Sequence, residues 1–168
     1  MRKQFLTVLA VLVALLTGFA PQSHGATPLT AKQKAELKYL IEEEKLARDV
    51  YAFLADKVTS QKFSNITKSE QTHMDLMSNI LKQYGIKNPT KNMAAGQFKN
   101  QDLQSLYKKL INEGSADILS AYQVGVQIEE LDIADLKDLM KMNWPADVKL
   151  VLDRLLSGSQ NHLSAFTR

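Results

Sequence analysis

The segment GIKNPTKNMAAGQFKNQDLQSLYKKLINEG, residues 85–114, decides how the predicted helices of this chain can be arranged. It begins with Gly85, a residue type that favours the position just after a helix, and an Asn-Pro pair and a second glycine make residues 86–99 irregular. Apolar residues at helical spacing predict a short helix at about 101–112. The segment is therefore a long connection that carries a small helix of its own.

Four longer helices are predicted on the two sides of this connection. Apolar residues recur at helical spacing over about 31–57 and 65–84 before it, and over about 116–142 and 145–166 after it. Thr30 with Gln33 is the pattern of a capping box, Ser115 is a candidate cap for the third long helix, and Pro145 suits the first position of the fourth. No segment alternates apolar and polar residues as a strand does, so the sequence predicts an all-α chain.

The lengths of the connections predict the topology. The first and second long helices are joined by a short link, as are the third and fourth, so each pair should form an antiparallel hairpin. A long crossover between the second and third helices is typical of the ferritin-like four-helix bundle. For Glu44 and Glu70 to lie level in such a bundle, residues 58–64 would have to run back alongside the first helix in extended form.

Carboxylates and histidines fall on the apolar stripes of the four predicted helices. Unpaired carboxylates are costly to bury, and a metal ion between the helices would offset that cost. The six predicted metal ligands are Glu44, Glu70, His73, Glu129, Asp132 and His162. Tyr51 is expected in or near the same site. Glu43 is nearly as plausible a ligand by helical angle as Glu44, whereas Glu42 faces out. Both Glu42 and Glu43 are interpreted as solvated.

This set approaches the pattern of di-iron carboxylate bundles. Those proteins use one Glu from each of two helices and a Glu-x-x-His from each of the other two. Glu70 and His73 form one such motif, but Ser159 stands where the second motif would have its Glu before His162. The sequence therefore leaves open whether two metal ions bind, or one, or none.

Four blocks of the sequence resemble an uncharacterised ferritin-like family known as domain of unknown function 2202. The blocks are EEEKLARDVY at 42–51, SEQTHM at 69–74, VGVQIEELDI at 124–133 and GSQNHLSAF at 158–166. The first block also resembles the first-helix ligand motif of rubrerythrin-type proteins, a Glu followed seven residues later by a Tyr. The resemblance implies a ferritin-like bundle with a metal site, and it implies no known reaction.

Each candidate ligand also has a structural interpretation. Glu70 could complete a capping box with Thr67 in the first turn of the second helix, unless Ser64 caps a helix that starts earlier. Glu129 could form a buried salt bridge with Arg48. A lone histidine on an apolar stripe is commonly a hydrogen-bonded core residue, and the Glu-x-x-His spacing is what favours the metal interpretation of His73.

The N-terminal residues have the three-part pattern of a secretory signal peptide. Met1-Arg2-Lys3 is positively charged, residues 5–20 are almost wholly apolar, and Ser23 and Gly25 are small residues before the expected cleavage point. The apolar stretch is short for a membrane span. We therefore predict a signal peptide at 1–25, a single helical domain at 26–168, and export to the periplasm or the extracellular space.

Composition restricts the partners. Cleavage would remove two positive charges and lower the formal net charge from +3 to +1, and the lysines form no basic stripe, so we expect no nucleic-acid partner. We also expect no membrane contact after cleavage, and oligomerisation is left open. The chain has no cysteine, which excludes disulfides and thiolate ligands. The expected ligand is iron, as one or two ions, with manganese or zinc as alternatives.

Three classes of function agree with this sequence. The first is an iron-dependent redox protein that handles oxygen or peroxide, and the second is a metal binder for storage, buffering or delivery in the cell envelope. The third is a structural or partner-binding bundle with a degenerate, metal-free polar core. The sequence does not decide whether the protein is an enzyme, and it identifies no substrate.

Overall fold

The computed structural model describes residues 28–168, in which every regular element is a helix and no strand occurs. The helices within this part of the chain are α1 (Ala31–Lys57), α2 (Gln61–Gln83), α3 (Gln101–Gly114), α4 (Ile118–Leu139) and α5 (Ala146–Phe166). The predicted all-α fold class is thus confirmed over residues 28–168. The predicted signal peptide lies outside the described residues. Among the described helices, none combines the length and the apolar character needed to cross a bilayer.

The boundaries of α1 agree with the prediction. The Thr30 side chain accepts a hydrogen bond from the backbone N–H of Gln33 at 3.2 Å, and Gln33 Oε1 accepts one from the backbone N–H of Thr30 at 2.9 Å. The capping box therefore satisfies two of the backbone donors that a helix start leaves free. Gln33 also donates to the carbonyl of Asn143 at 2.8 Å, which joins the start of α1 to the loop before α5.

Helix α2 begins four residues earlier than predicted. It starts at Gln61, directly after a tight turn in which Thr59 has a φ of +48°. Residues 61–64 are helical because Phe63 and Ile66 extend the buried stripe of α2 towards this turn. The expected extended run at 58–64 is therefore wrong. Since Thr67 lies inside the helix, with its hydroxyl on the carbonyl of Phe63 at 2.8 Å, the alternative capping box with Glu70 is also wrong.

The start of α4 also differs from the prediction. Its cap is Asp117, whose side chain accepts from the N–H of Ser120 at 2.8 Å, while Ser115 follows the end of α3. Pro145 precedes α5 as its cap instead of occupying the first helical position. These are shifts of one or two residues at helix starts, where local signals compete.

The long helices pack in pairs around two hydrophobic clusters. Helix α1 contacts α2 and α4, α5 contacts α4 and α2, and α3 lies against α1 and α4. One cluster contains Leu40, Leu81 and Leu152, and the other contains Tyr51, Phe63 and Phe166. The polar residues of the predicted site lie in the layer between these two clusters along the helices. The core of the molecule thus encloses a buried polar layer.

Glu42 holds the end of the long connection against α1. Its Oε2 accepts hydrogen bonds from the backbone N–H groups of Lys99 and Asn100, at 2.7 and 3.1 Å. The expectation that Glu42 is solvated is wrong, since the residue is buried. The physical reason is that the crossover covers this face of α1 and brings two unpaired backbone donors to it.

Lys45 and Asp49 hold the middle of the connection in the same way. Lys45 is buried, forms an ion pair with Asp49, donates to the carbonyl of Ala94 at 2.9 Å and lies 4.6 Å from the centre of the Phe98 ring. Asp49 also accepts from the N–H of Gly96 at 2.8 Å. These charged residues of α1 are therefore structural, and they leave the inward face of the helix to Glu44.

Candidate metal centre

The structure brings the predicted ligands together in the polar layer. Five of them are almost fully buried, namely Glu44, Glu70, His73, Glu129 and His162. They come from α1, α2, α4 and α5, so every long helix contributes at least one side chain. The ligand atoms form two groups, each of which lies within a span of 4.8 Å.

The first group consists of Glu44, Glu70 and His73. Nδ1 of His73 lies 3.1 Å from Oε2 of Glu44 and 2.8 Å from Oε2 of Glu70. His73 is level with Glu44 because it comes twelve residues after the start of α2, and Glu44 comes thirteen before the end of α1. The early start of α2 therefore produces this contact.

The second group consists of Glu70, Glu129 and His162. Nδ1 of His162 lies 2.7 Å from Oε1 of Glu70 and 3.5 Å from Oε1 of Glu129. Glu70 belongs to both groups, with one carboxylate oxygen towards each histidine. The two imidazole rings are stacked, with their centres 5.6 Å apart.

Two residues that the sequence analysis missed position the imidazoles. Oγ of Ser69 lies 2.8 Å from Nε2 of His162, which leaves Nδ1 of that ring for the carboxylates. Gly158 gives His73 room, because a Cβ at this position would stand 2.4 Å from Nε2 of His73. Gly158 directly precedes Ser159 in the sequence. Its role cannot be recognised from the sequence, because that role depends on how α5 packs against α2.

Asp132 lies at the edge of the polar layer and belongs to neither group. Its Oδ2 accepts a hydrogen bond from Ser159, whereas its Oδ1 has neither solvent access nor a hydrogen-bond partner. Ser159, the residue that replaces the expected Glu on α5, thus contacts a carboxylate supplied by α4. Residue 159 therefore has an acidic group beside it, although it is not acidic itself.

Of two further residues considered in the sequence analysis, Tyr51 contacts the site and Arg48 does not. The hydroxyl of Tyr51 donates to Oε1 of Glu129 at 2.6 Å, so Tyr51 lies next to the second group as expected. Arg48 forms its ion pair with Asp49 at 2.6 Å and donates to Gln71 at 2.7 Å. The alternative salt bridge between Arg48 and Glu129 is therefore wrong.

Glu43 is buried as well, which corrects the expectation that it is solvated. It lies at the seam between α1 and α4, and its Oε2 has no hydrogen-bond partner. Burial, followed by the neighbouring carboxyl of Asp135, raises the pKa of Glu43 well above its ordinary value. The helical position of Glu43, nearly as plausible for the apolar stripe as that of Glu44, was the signal for this burial.

The imidazoles of the metal-free site favour their protonated forms. Burial acts to lower the pKa of His73, but the contacts with Glu44 and Glu70 outweigh it and raise the pKa to about 11. The same balance, with Glu129 and Glu70 as the partners, raises the pKa of His162 to about 9. Burial opposes the ionisation of Glu70, but its two histidines lower its pKa to about 2.

Burial raises the pKa of the other carboxyl groups in this layer, where acids outnumber imidazoles. Burial, with the nearby charge of Asp132, raises the pKa of Glu44 well above its ordinary value. Burial also raises the pKa of Asp132 to about 7, although the hydrogen bond from Ser159 opposes it. Glu44 Oε1, Asp132 Oδ1 and His162 Nδ1 are buried without hydrogen bonds of good geometry. Carboxyl groups that outnumber the imidazoles, together with these buried atoms, fit a divalent cation that would displace the protons.

Fold and site together define a class: an all-helical protein with a buried cluster of carboxylates and histidines that could hold a metal ion. Residues 33–168 match the family model described as an uncharacterized protein domain, DUF2202. The chain belongs to this family, as the four sequence blocks led us to expect.

A relative and its solved structure agree with this assignment. The chain is 45% identical over 141 residues to the uncharacterized protein MJ0754 of Methanocaldococcus jannaschii, a match that covers 84% of this chain and 76% of that protein. It is also similar to the crystal structure of the hypothetical protein MJ0754 from Methanococcus jannaschii, with a TM-score of 0.81 and 44% identity, covering 83% of this chain and 80% of that one. The helical fold is therefore shared between relatives at high identity.

Proposed function

We propose that this protein binds one or two divalent metal ions, with iron as the first candidate, in the polar layer of its core. The ligands would be Glu44, Glu70, His73, Glu129 and His162, with Asp132 beside them. The observation that carries the proposal is the position of Glu70, which directs one oxygen to each of two histidines. Glu70 would thus be a ligand common to both groups.

The donor set suits this chemistry. Carboxylate oxygens and imidazole nitrogens bind iron, manganese and zinc, and mixed sites of this kind are used by non-haem iron proteins. Asp132 would supply, from α4, the acidic group that the Ser159 substitution removes from α5. Tyr51 holds Glu129 and Ser69 holds His162, so two ligands have outer partners that orient them.

The helix arrangement supports a ferritin-like bundle as part of this proposal. The contacts α1 with α2, α4 with α5, α2 with α5 and α1 with α4 close a ring of four long helices. The chain between α2 and α4 is the long connection, and its helix α3 lies over α1 and α4. In such bundles the metal ligands project inwards from all four helices.

The role we propose is metal handling, or iron-dependent redox chemistry, in the cell envelope. Bound iron would supply the capacity to exchange electrons with oxygen or peroxide. The protein would hold the ion away from bulk water, because the ligand atoms are buried between two hydrophobic clusters. The predicted signal peptide supports the location of this activity outside the cytoplasm.

Metal analysis and thermal melts of the mature chain, residues 26–168, test the proposal. We expect added Fe²⁺, kept anaerobic, or Mn²⁺ or Zn²⁺ to raise the melting temperature of the wild type, because a ligand that binds only the folded state stabilises it. His73→Ala should abolish the shift, since it removes a nitrogen ligand. Asn161→Ala, an exposed change beside His162, is the matched control and should keep it.

Two results would contradict this function. One is a wild-type melt that no metal shifts, and the other is a shift that survives in His73→Ala. Either result would favour the alternative class, a structural or partner-binding bundle in which the histidines and glutamates pair only with each other.

A further inference from the structure

A groove runs along the surface between α1 and α4, with a volume of about 400 Å³. Its lining includes four acidic side chains and one basic side chain, namely Glu36, Glu43, Asp135, Asp138 and Lys32. At the outer end Asp138 forms an exposed ion pair with Lys141 at 2.6 Å. Among the described residues no lysine or arginine forms an ion pair with Glu43 or Asp135, so no cationic side chain compensates the carboxyl groups at the inner end.

Glu43 marks the point where this groove meets the interior. The residue is only 7% exposed, yet it lines the groove, and its Oε2 is buried without a hydrogen-bond partner. This oxygen has lost water without gaining a donor, which is costly unless a cation or a proton compensates. Glu43 thus lines a solvent-connected groove and has one buried oxygen without a hydrogen-bond partner.

A smaller and mostly apolar cavity of about 20 Å³ lies between α1, α3 and α4. Glu43 and Asp132 both line it, and Asp132 also has a buried oxygen, Oδ1, without a partner. This volume holds about one water molecule. Asp132 lies one helical turn after Glu129 on α4, so the cavity reaches the edge of the candidate metal centre at Asp132.

We propose that the groove between α1 and α4 is a second, outer site for a divalent cation, built on Glu43 and Asp135, from which the ion passes by Asp132 to the core. The outer site stands on the groove itself, while the passage to the core rests on the proposed function. Oxygen-only ligands bind hard, hydrated cations, and a cleft lined by one sign of charge raises the local concentration of the opposite ion. The outer site should therefore be weak and the core site tight.

Mn²⁺ titration of the mature, metal-free chain tests the outer site directly, with the free ion followed by electron paramagnetic resonance. We expect the wild type to bind one weakly held Mn²⁺ ion that neither Glu43→Gln nor Asp135→Asn binds. Asp153→Asn, which removes an exposed carboxylate from α5, is the matched control and should keep that ion. Asp135 is half-buried, so its variant keeps the test sound if Glu43→Gln folds poorly.

Stopped-flow loading with Co²⁺, followed by its visible absorption at the core site, tests the passage. We expect both groove variants to load Co²⁺ about tenfold more slowly than the wild type, because they lose charge that concentrates cations in the cleft. Both variants should reach the same final spectrum as the wild type. Equal loading rates would overturn the passage. An equal number of weak Mn²⁺ ions in wild type and both groove variants would overturn the outer site, whatever the core does. If the wild-type core takes no metal but Glu43→Gln still loses the weak ion, the outer site stands and only the proposed function and the passage fail.

Discussion

Three consecutive glutamates on α1 have three different surroundings. Glu42 accepts hydrogen bonds from the connection, Glu43 lies at the seam with α4, and Glu44 contacts His73. An α-helix turns about 100° per residue, so three neighbours must point to three separate sectors. All three are buried here because α2, α4 and the crossover together surround this part of α1.

The hydroxyl of Tyr51 gives a prediction at the scale of one residue. Tyr51→Phe keeps the ring that packs on Phe63 and Phe166 but removes the donor to Glu129. We expect metal affinity to fall about tenfold, as when other outer partners of ligands are lost. The measurement is a competition titration with a chromophoric chelator.

Tyr122→Phe is the control for this change. Tyr122 packs in the same aromatic cluster and is half-buried, but its ring lies beside Phe63 and Phe166 instead of a ligand. Its loss of a hydroxyl should leave metal affinity unchanged. Equal affinities for Tyr51→Phe and the wild type would show that Glu129 needs no support from Tyr51, or is not a ligand.

At the scale of elements, the approach of α5 to α2 depends on Gly158. Glycine inside a helix costs about 1 kcal/mol relative to alanine, so Gly158 has a local cost that the packing must offset. The space it leaves is filled by the ring of His73. The packing of α5 against α2, and with it the position of the His73 ring, thus depends on the absence of a Cβ at residue 158.

Gly158→Ala should therefore weaken the site even though alanine is the better helix former. A Cβ at 2.4 Å from Nε2 forces the His73 ring to move, and such overpacking costs about 1–3 kcal/mol. We expect lower stability in urea and a smaller metal-induced rise of the melting temperature. Ser157→Ala, an exposed change one residue away, is the control. A variant more stable than the wild type with full metal binding would contradict the packing argument.

At the scale of the whole molecule, the polar layer couples the folding of the metal-free protein to pH. Folded His73 and His162 have pKa values of about 11 and about 9, above the ordinary 6.5, so the folded state retains protons that the unfolded chain releases. The stability that they contribute is fully present below pH 6.5 and is lost as the pH rises through 9 and then 11. Asp132, raised to about 7, also makes the folded state less stable as the pH rises from about 4 to 7.

We therefore expect the metal-free protein to lose unfolding free energy steadily between pH 6.5 and 9, by up to about 1.4 kcal/mol per pH unit for each histidine that stays protonated only in the folded state. The stabilisation by metal should increase over the same range, because the imidazoles must be neutral to bind the ion. Urea unfolding in EDTA and in excess Zn²⁺, at three pH values, measures both. Stability in EDTA that is constant or rises with pH would contradict the histidine–glutamate network.

The predicted signal peptide gives the last prediction at this scale. If residues 1–25 are a signal peptide, the mature chain begins at Ala26. Intact-mass analysis of protein recovered from the periplasm or medium measures this directly. A mass that includes Met1 would show that the segment is retained.

Local pattern was sufficient for the helices and for the list of inward-facing residues. Apolar periodicity and a capping box predicted α1 at about 31–57, as observed, because both signals act within one or two turns. The same periodicity selected Glu44, Glu70, His73, Glu129 and His162, which the structure brings into two groups. Side chains on an apolar stripe must meet the side chains of the facing helix, so this much follows from the sequence alone.

Only the tertiary structure determines which of those residues contact one another. That Glu70 faces two histidines, that Ser159 contacts Asp132, and that Gly158 makes room for His73 all depend on the height and spacing of neighbouring helices. The early start of α2 and the burial of Glu42 and Glu43 are of the same kind. A sequence pattern records which way a side chain points within its own helix, whereas its partner is set by how far the packed helices slide and approach.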